Sequence, residues 1–304
     1  MKRVFCTALL YICLCIPVTA YAGHSHYLNG VEGIKAATLP PEGFYWRMYN
    51  VYYQADKMKT NNKTSNKDFE ADVYALVNRF IWTTPAKVLG GNLTMDVIIP
   101  LVYSDIKLDA PSPMGFNKHK FGVGDILVEP AVLHWHGEGW DSVLGIGLYL
   151  PTGEFRESNA ASPGKGYYTA LLSFGGTVYL DAEKTWSASV LGRYEEHLDK
   201  QEETHITPGR DLHFEWGVGK AFSSGFEVGL AGYCQWQLNE DQGRNSSHSA
   251  GRGHSLEKAY AAGPEVSYTY APWGLNVALR SLWEFENKAT TQGNITSLVF
   301  TKAF

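Results

Sequence analysis

The sequence predicts an all-β fold: an antiparallel transmembrane β-barrel of about 12 strands after a cleaved signal peptide. Three observations carry this reading. Apolar and polar residues alternate with period two in segment after segment. Beyond the first twenty residues, no apolar run is long enough to cross a bilayer as a helix. The connections between segments alternate between long and short.

Met1-Lys2-Arg3 is a basic start, Val4 to Val18 is apolar, and Ala20-Tyr21-Ala22 is a small-residue cleavage site. That order marks residues 1–22 as a signal peptide, with an uncleaved anchor or a buried strand as the alternative. Cys6, Cys13 and Cys15 leave with it, so Cys234 has no partner for an internal disulfide, and a Cys-rich zinc site is excluded. The mean hydropathy of −0.21 does not separate a soluble protein from a barrel, whose lipid-facing residues alternate with polar ones. The 9 Trp, 18 Tyr, 14 Phe and 31 Gly suit aromatic girdles and tight strand crossings. A net charge of −5 gives no sign of a nucleic-acid partner.

Residues 23–42 lack a strand pattern, which suggests a periplasmic N-terminal segment able to fold into the lumen as a plug. The barrel is expected over 43–304. Its strands fall near 43–54, 69–81, 91–105, 122–136, 141–150, 165–180, 185–195, 211–222, 226–237, 257–271, 274–285 and 293–304. In the third, Leu93, Met95, Val97, Ile99, Leu101 and Tyr103 oppose Thr94, Asp96 and Ser104. In the sixth, Tyr168, Ala170, Leu172, Phe174, Val178 and Leu180 oppose Thr169, Ser173 and Thr177. A soluble sandwich also alternates, so the connections decide. Those after odd strands are mostly long and polar (54–68, 154–164, 196–210, 239–256); those after even strands are short (137–139, 181–184, 223–225, 272–273). Long outer loops and short periplasmic turns produce this asymmetry and put both termini in the periplasm of a Gram-negative envelope. Phe304 ends a final amphipathic strand, the kind of signal the barrel assembly machinery reads. Lys302 departs from that strand's apolar face, near the interface where its ammonium can reach water.

A lipid-acting hydrolase needs a nucleophile and base in contact. His134-Trp135-His136 and His248-Ser249 are the candidate pieces, but no nucleophile motif surrounds either, and girdle or surface-loop roles fit them better. Gly23-His24-Ser25-His26 lacks further metal ligands at fixed spacing. Gly122-Val123-Gly124-Asp125 lacks the strand-turn-helix context of a phosphate loop, and Asn62-Lys63-Thr64 is a poor glycosylation site in a bacterial export product. No catalytic residue, cofactor or metal is assigned. The polar faces say more. Asp72, Asp96, Arg193, His213, Glu215, Glu227, Arg280 and Glu284 are the candidate lumen-lining residues, with Asp68, Glu70, Asp125 and Glu129 as further inward candidates. They form either structural ion pairs or a solute path, and their acid excess would disfavour anions.

The order of several motifs resembles the meta-pathway phenol degradation family of outer-membrane barrels. The pieces are Pro40-Pro41-x-Gly43-x-Tyr45, Tyr53-x-Ala55-Asp56, Gly122-x-Gly124-Asp125 with Pro130, and Leu133-His134-Trp135-His136. They continue with Tyr149-Leu150-Pro151-Thr152-Gly153, Leu212-His213 with Trp216, Gly232-Tyr233, Gly263-Pro264 and Glu284-Phe285. Glu215, where Asp is expected, and Lys302 depart from the pattern. The resemblance implies a non-enzymatic channel taking up small hydrophobic or aromatic solutes through the outer-membrane lipid, and it brings no catalytic residues. The alternatives are an outer-membrane lipid-acting hydrolase or a structural barrel with an occluded lumen.

Overall fold

The computed structural model describes residues 25–60, 63–66, 68–109, 115–199, 201, 203–243 and 255–304. The expected signal peptide, His24, Asn62, His248, Ser249 and His254 lie outside the described residues.

The chain order is β1 Gly43–Thr60, β2 Lys63–Asn66, β3 Phe69–Val88, β4 Gly91–Leu108, β5 Phe116–Val123, β6 Ile126–His136, β7 Trp140–Leu150 and β8 Thr169–Tyr179. It continues with β9 Trp186–His197, β10 Ile206–Thr207, β11 Asp211–Ala221, β12 Phe226–Gln237, β13 Gln242–Gly243, β14 Lys258–Tyr270, β15 Leu275–Lys288 and β16 Thr291–Ala303. β2, β10 and β13 are short pairings in the long loops. β5 and β6 follow one another along β4 and act as one wall strand, so the wall is a closed antiparallel barrel of 12 strands. Closure comes from β16 pairing with β1, from Tyr45 opposite Ala303 to Met58 opposite Thr291. Closing the ring removes the unpaired edges that no lipid could satisfy.

The period-two pattern becomes two faces. Leu144, Ile146, Leu172, Val190, Leu230 and Leu279 are exposed on the outside and form an apolar band. Phe44, Trp82, Trp140, Trp186, Phe226 and Trp273 ring the short-turn end, while Tyr52, Tyr74, Tyr103, Trp283 and Phe285 ring the other. Two aromatic belts around an apolar band are the lipid-facing signature of such a barrel. Lys302 reaches the rim, where its ammonium donates to the Trp273 carbonyl at 2.7 Å and lies 5.1 Å from the Phe304 ring centre.

The sequence parity fails in two places. In β6 a bulge between Val128 and Ala131, around Pro130, shifts the register. It turns Leu127, Glu129, Val132 and His134 inward together, which explains the mixed face seen in sequence. In β3 the odd residues Phe69, Ala71, Ala75, Arg79 and Ile81 are the buried ones. Asp72 therefore points outward, contrary to the sequence expectation, and accepts the Tyr52 hydroxyl at 2.5 Å on the outer surface; Glu70 shares that exposed face. The reason is that the rule of apolar outside and polar inside reverses there. β1, β3 and β4 have 18, 20 and 18 residues, well beyond the roughly 9–11 that cross a bilayer. Their far ends stand in water, and their inner faces line an apolar cavity.

Candidate functional site

Residues 25–40 lie inside the barrel, and Pro41 and Glu42 are exposed at its short-turn end. The segment climbs from the start of β1 at the short-turn end to Ser25 in the half nearer the long loops. Phe304 sits beside Phe44 at the short-turn end, with ring centres 5.8 Å apart.

The segment is held by its backbone. The N–H groups of Gly30, Val31 and Glu32 donate to the Glu215 carboxylate at 3.0, 3.3 and 2.9 Å, and the Tyr27 hydroxyl donates to it as well. One carboxylate thus satisfies a whole turn, with each bond strengthened by its charge. Further along, Ile34 N–H donates to Glu265 at 3.0 Å, and Arg280 donates both to Glu265 and to the Val31 carbonyl at 2.8 Å. Lys35 pairs with Glu227 at 2.7 Å, and the Thr38 hydroxyl reaches Asp141 and Thr177 at 2.9 Å. Gly217 on the wall makes room, since a Cβ there would lie 2.8 Å from Ile34 Cα. Gly33 has φ +71°, and a Cβ on it would lie 1.5 Å from the Arg280 guanidinium. Gly33→Ala is therefore expected to unseat this turn and expose Lys35 to trypsin in the folded barrel; resistance equal to the unaltered chain would show that the fit is not tight.

At mid-height, Glu32 of the segment meets three arginines. Arg47 and Arg79 donate to it at 2.9 and 3.0 Å, and Arg193 lies at 3.5 Å. Arg79 also reaches Asp96 at 2.7 Å and Glu129 at 3.0 Å, while Arg193 spans Glu129 and the Tyr27 ring. Burial would raise the pKa of Glu32, but Arg47, Arg79, Arg193 and Arg280 hold it down at about 2. Three guanidiniums balance three carboxylates, so the acid excess expected in the lumen is compensated at its centre. Arg47, Arg79, Glu32 and Glu265 were missed in sequence, where isolated charges in a strand or an unpatterned segment give no periodic signal.

Between the segment and the β1–β3–β4 wall lies a cavity of about 330 Å³. Val51, Val73, Ala75, Val77, Ile98, Val102, Leu127 and Ile295 line it, with Tyr49, Tyr53, Tyr149 and Tyr233 among them. Glu284 stands at its edge, where Tyr53 and Tyr233 donate to it at 3.0 and 2.5 Å. Pro100, Gly124 and Pro163 line the side where β5 ends and β6 begins.

The remaining predicted residues also sit inside. Glu195 accepts from the Tyr27 N–H at 2.8 Å, and His213 contacts Asn29 at 2.8 Å. His26 donates to Asp125 at 2.9 Å, and burial lowers its pKa. At the short-turn rim, His134 contacts His136 at 3.0 Å, and His136 contacts Asp141 at 2.8 Å. Among the described residues, no serine hydroxyl bonds to either ring. Ser25 lies 3.2 Å from His213, but its hydroxyl donates to Glu195 at 2.5 Å, so its proton is committed to a carboxylate.

Comparison with known proteins agrees with this architecture. An outer membrane channel from Pseudomonas putida F1 superposes with a TM-score of 0.72 at 13% identity, covering 88% of this chain and 97% of that one. The β domain of the Bordetella autotransporter BrkA follows at 0.47 and 14% identity, covering 86% and 99%. The CymD monoaromatic hydrocarbon channel gives 0.43 at 10%, covering 87% and 89%. The first supports the fold; the other two are too distant to carry an argument. No curated protein matches the chain in sequence. The family model described as "Putative MetA-pathway of phenol degradation" matches residues 55–300, nearly the whole barrel, and the chain belongs to that family.

Proposed function

We propose that this protein is an outer-membrane channel for passive uptake of small hydrophobic or aromatic compounds, with residues 25–40 as its plug. The cavity carries the reading. A dry cavity of about 150 Å³ suffices for benzene, so 330 Å³ has room for single-ring compounds. Valine and isoleucine walls supply apolar contact, four tyrosine rings offer edges and faces, and Glu284 with its two hydroxyl partners gives a polar anchor, beside Glu32, Asp125, Lys165, Arg193 and Glu257 elsewhere on the lining. Of the seven inward candidates, Arg193, His213, Glu215, Glu227, Arg280 and Glu284 hold the plug or edge this cavity, and Asp96 pairs with Arg79 behind Glu32. A solute enters past the long loops, which face outward, and leaves when the plug shifts or sideways beside Pro100 and Gly124. The short turns and Phe304 face the periplasm, and the Phe304 strand is the signal for the assembly machinery.

Ala75→Trp fills the cavity from its wall. In planar bilayers and in uptake by proteoliposomes, phenol and toluene are expected to block and permeate the unaltered protein. The variant should lose both effects while its ion conductance stays nearly constant. Equal solute block in the variant would sink the reading. The many bonds that hold the plug favour one second reading, a structural barrel with an occluded lumen, for which silent bilayers and no solute uptake are expected.

A further inference from the structure

One polar cluster plays no part in the passage just described. It lies where the tip of the plug meets β9 and β11. Glu195, His197, Asp211 and His213 are all buried, the most accessible being His197 at 5%. The ligand atoms of Glu195, His197 and Asp211 lie within 4.8 Å of one another. His197 Nε2 is 3.3 Å from Asp211 Oδ2, and His213 Nε2 is 3.2 Å from Glu195 Oε2.

The hydrogen bonds around the cluster fix where its protons are. His26 gives its Nε2–H to Asp125, so Nδ1 of the neutral ring accepts. Its partner, 2.8 Å away, is the Thr169 hydroxyl, which spends its one proton there. Thr169 must then accept from His197 Nδ1, 2.7 Å on its other side. His213 Nδ1 likewise faces the Asn29 carbonyl oxygen, an acceptor, because the Asn29 amide group donates to Gln235. Both imidazoles therefore carry their proton on Nδ1. His197 Nε2 thus faces the Asp211 carboxylate, acceptor against acceptor, while His213 Nε2 also has the Ser25 hydroxyl 3.2 Å away. In a buried place two acceptors in contact need a cation between them.

We propose that Glu195, His197 and Asp211 bind one divalent transition-metal cation of the zinc class, with His213 held against Glu195 from outside the set. One imidazole nitrogen and two carboxylates, with a position left for water, are a donor set such an ion accepts. Ligands about 2.0–2.1 Å from a tetrahedral ion stand about 3.3 Å from each other; the His197-to-Asp211 spacing here is 3.3 Å, and the three ligand atoms lie within 4.8 Å of one another. A ring that donated an Nε2–H would instead draw its carboxylate closer, as His26 draws Asp125 at 2.9 Å. Thr169 holds the His197 ring in the tautomer that leaves Nε2 free for metal, the usual support behind a ligating histidine. Tyr27 and Asn29 belong to the plug, so the ion would also fasten the plug's tip to the wall.

The test uses the full mature chain folded in detergent, stripped with EDTA and titrated with Co²⁺ and then Zn²⁺. One Co²⁺ per chain is expected, with the visible absorption of a low-coordinate nitrogen–oxygen site, displaced by one equivalent of Zn²⁺. Thr169→Val should weaken binding by about 10–100-fold. The double variant His197→Ala with His213→Ala should lose stoichiometric binding while keeping β-sheet circular dichroism and the gel mobility of the folded barrel. His136→Ala, at the other end of the lumen, should bind like the unaltered chain. Folded protein that takes up no stoichiometric cobalt, binding untouched in the double variant, or binding lost in His136→Ala would each overturn the proposal. The readout is metal content, so it stands or falls separately from solute uptake.

Discussion

Deleting residues 23–39 is expected to widen the conductance of the channel several-fold. The segment crosses the lumen at the height of Arg47, Arg79 and Arg193, where Glu32 is ion-paired to all three. The deletion removes Glu32 together with Lys35, the partner of Glu227, and frees Glu215 of the amides it holds, so it opens space without adding net charge to the lumen. Single-channel recording reads the change. An unchanged conductance would mean that the segment is not the restriction.

Glu32 makes the seating depend on pH. The folded pKa of Glu32, about 2, lies below its ordinary value of 4.5. A depressed carboxylate pKa contributes stability that is complete above the ordinary value and lost as pH falls through the folded one. The contribution is on the order of 3 kcal/mol. The unaltered channel should thus show reversible wide openings as the pH drops from about 4.5 toward 2, and Glu32→Gln should show them already at neutral pH.

How much of this could be read from the sequence differs between wall and interior. A lipid-facing strand has a strict period, so the alternation along Leu93 to Tyr103 and the short turns place most strand ends within four residues, whereas β1 and β3 run six and seven residues further than expected and β5 starts six residues earlier, at Phe116. The uneven loops made the even strand number legible. The interior follows no such rule. Asp72 faces outward against the rule that acidic residues turn into the lumen, because the inner face of β3 beside the cavity is made of Val73, Ala75 and Val77. Glu215, Arg193 and Arg280 could be seen as inward charges, but their partners are Glu32 and the amides of a segment with no pattern of its own. Backbone N–H groups are the same in every residue, so a binding turn built from them leaves no mark in composition. Gly30 and Gly33, both at positive φ, are its faint trace.

Arg79→Met tests whether the central ring organises the lumen. Arg79 joins Glu32, Asp96 and Glu129 through both of its terminal nitrogens, at 3.0, 2.7 and 3.0 Å. Methionine keeps much of the volume and removes the charge, which leaves three buried carboxylates with one cation fewer than they need. Breaking a buried pair from one side costs about 3–5 kcal/mol, because the charge left behind is neither solvated nor compensated. The wall has its own hydrogen-bond ladder and should still close, so the loss should fall on the plug. The variant is expected to run as a folded barrel, to expose Lys35 to trypsin and to conduct like the deletion. Arg79→Lys restores the charge but cannot span the three carboxylates with one planar fork, and it should recover only part of the effect. Arg79→Met combined with Glu32→Gln removes one charge of each sign and should cost less than the sum of the two changes, as coupled neighbours do. Strict additivity would show that the two residues are held in place independently, and that the plug is positioned by the Glu215 cradle alone.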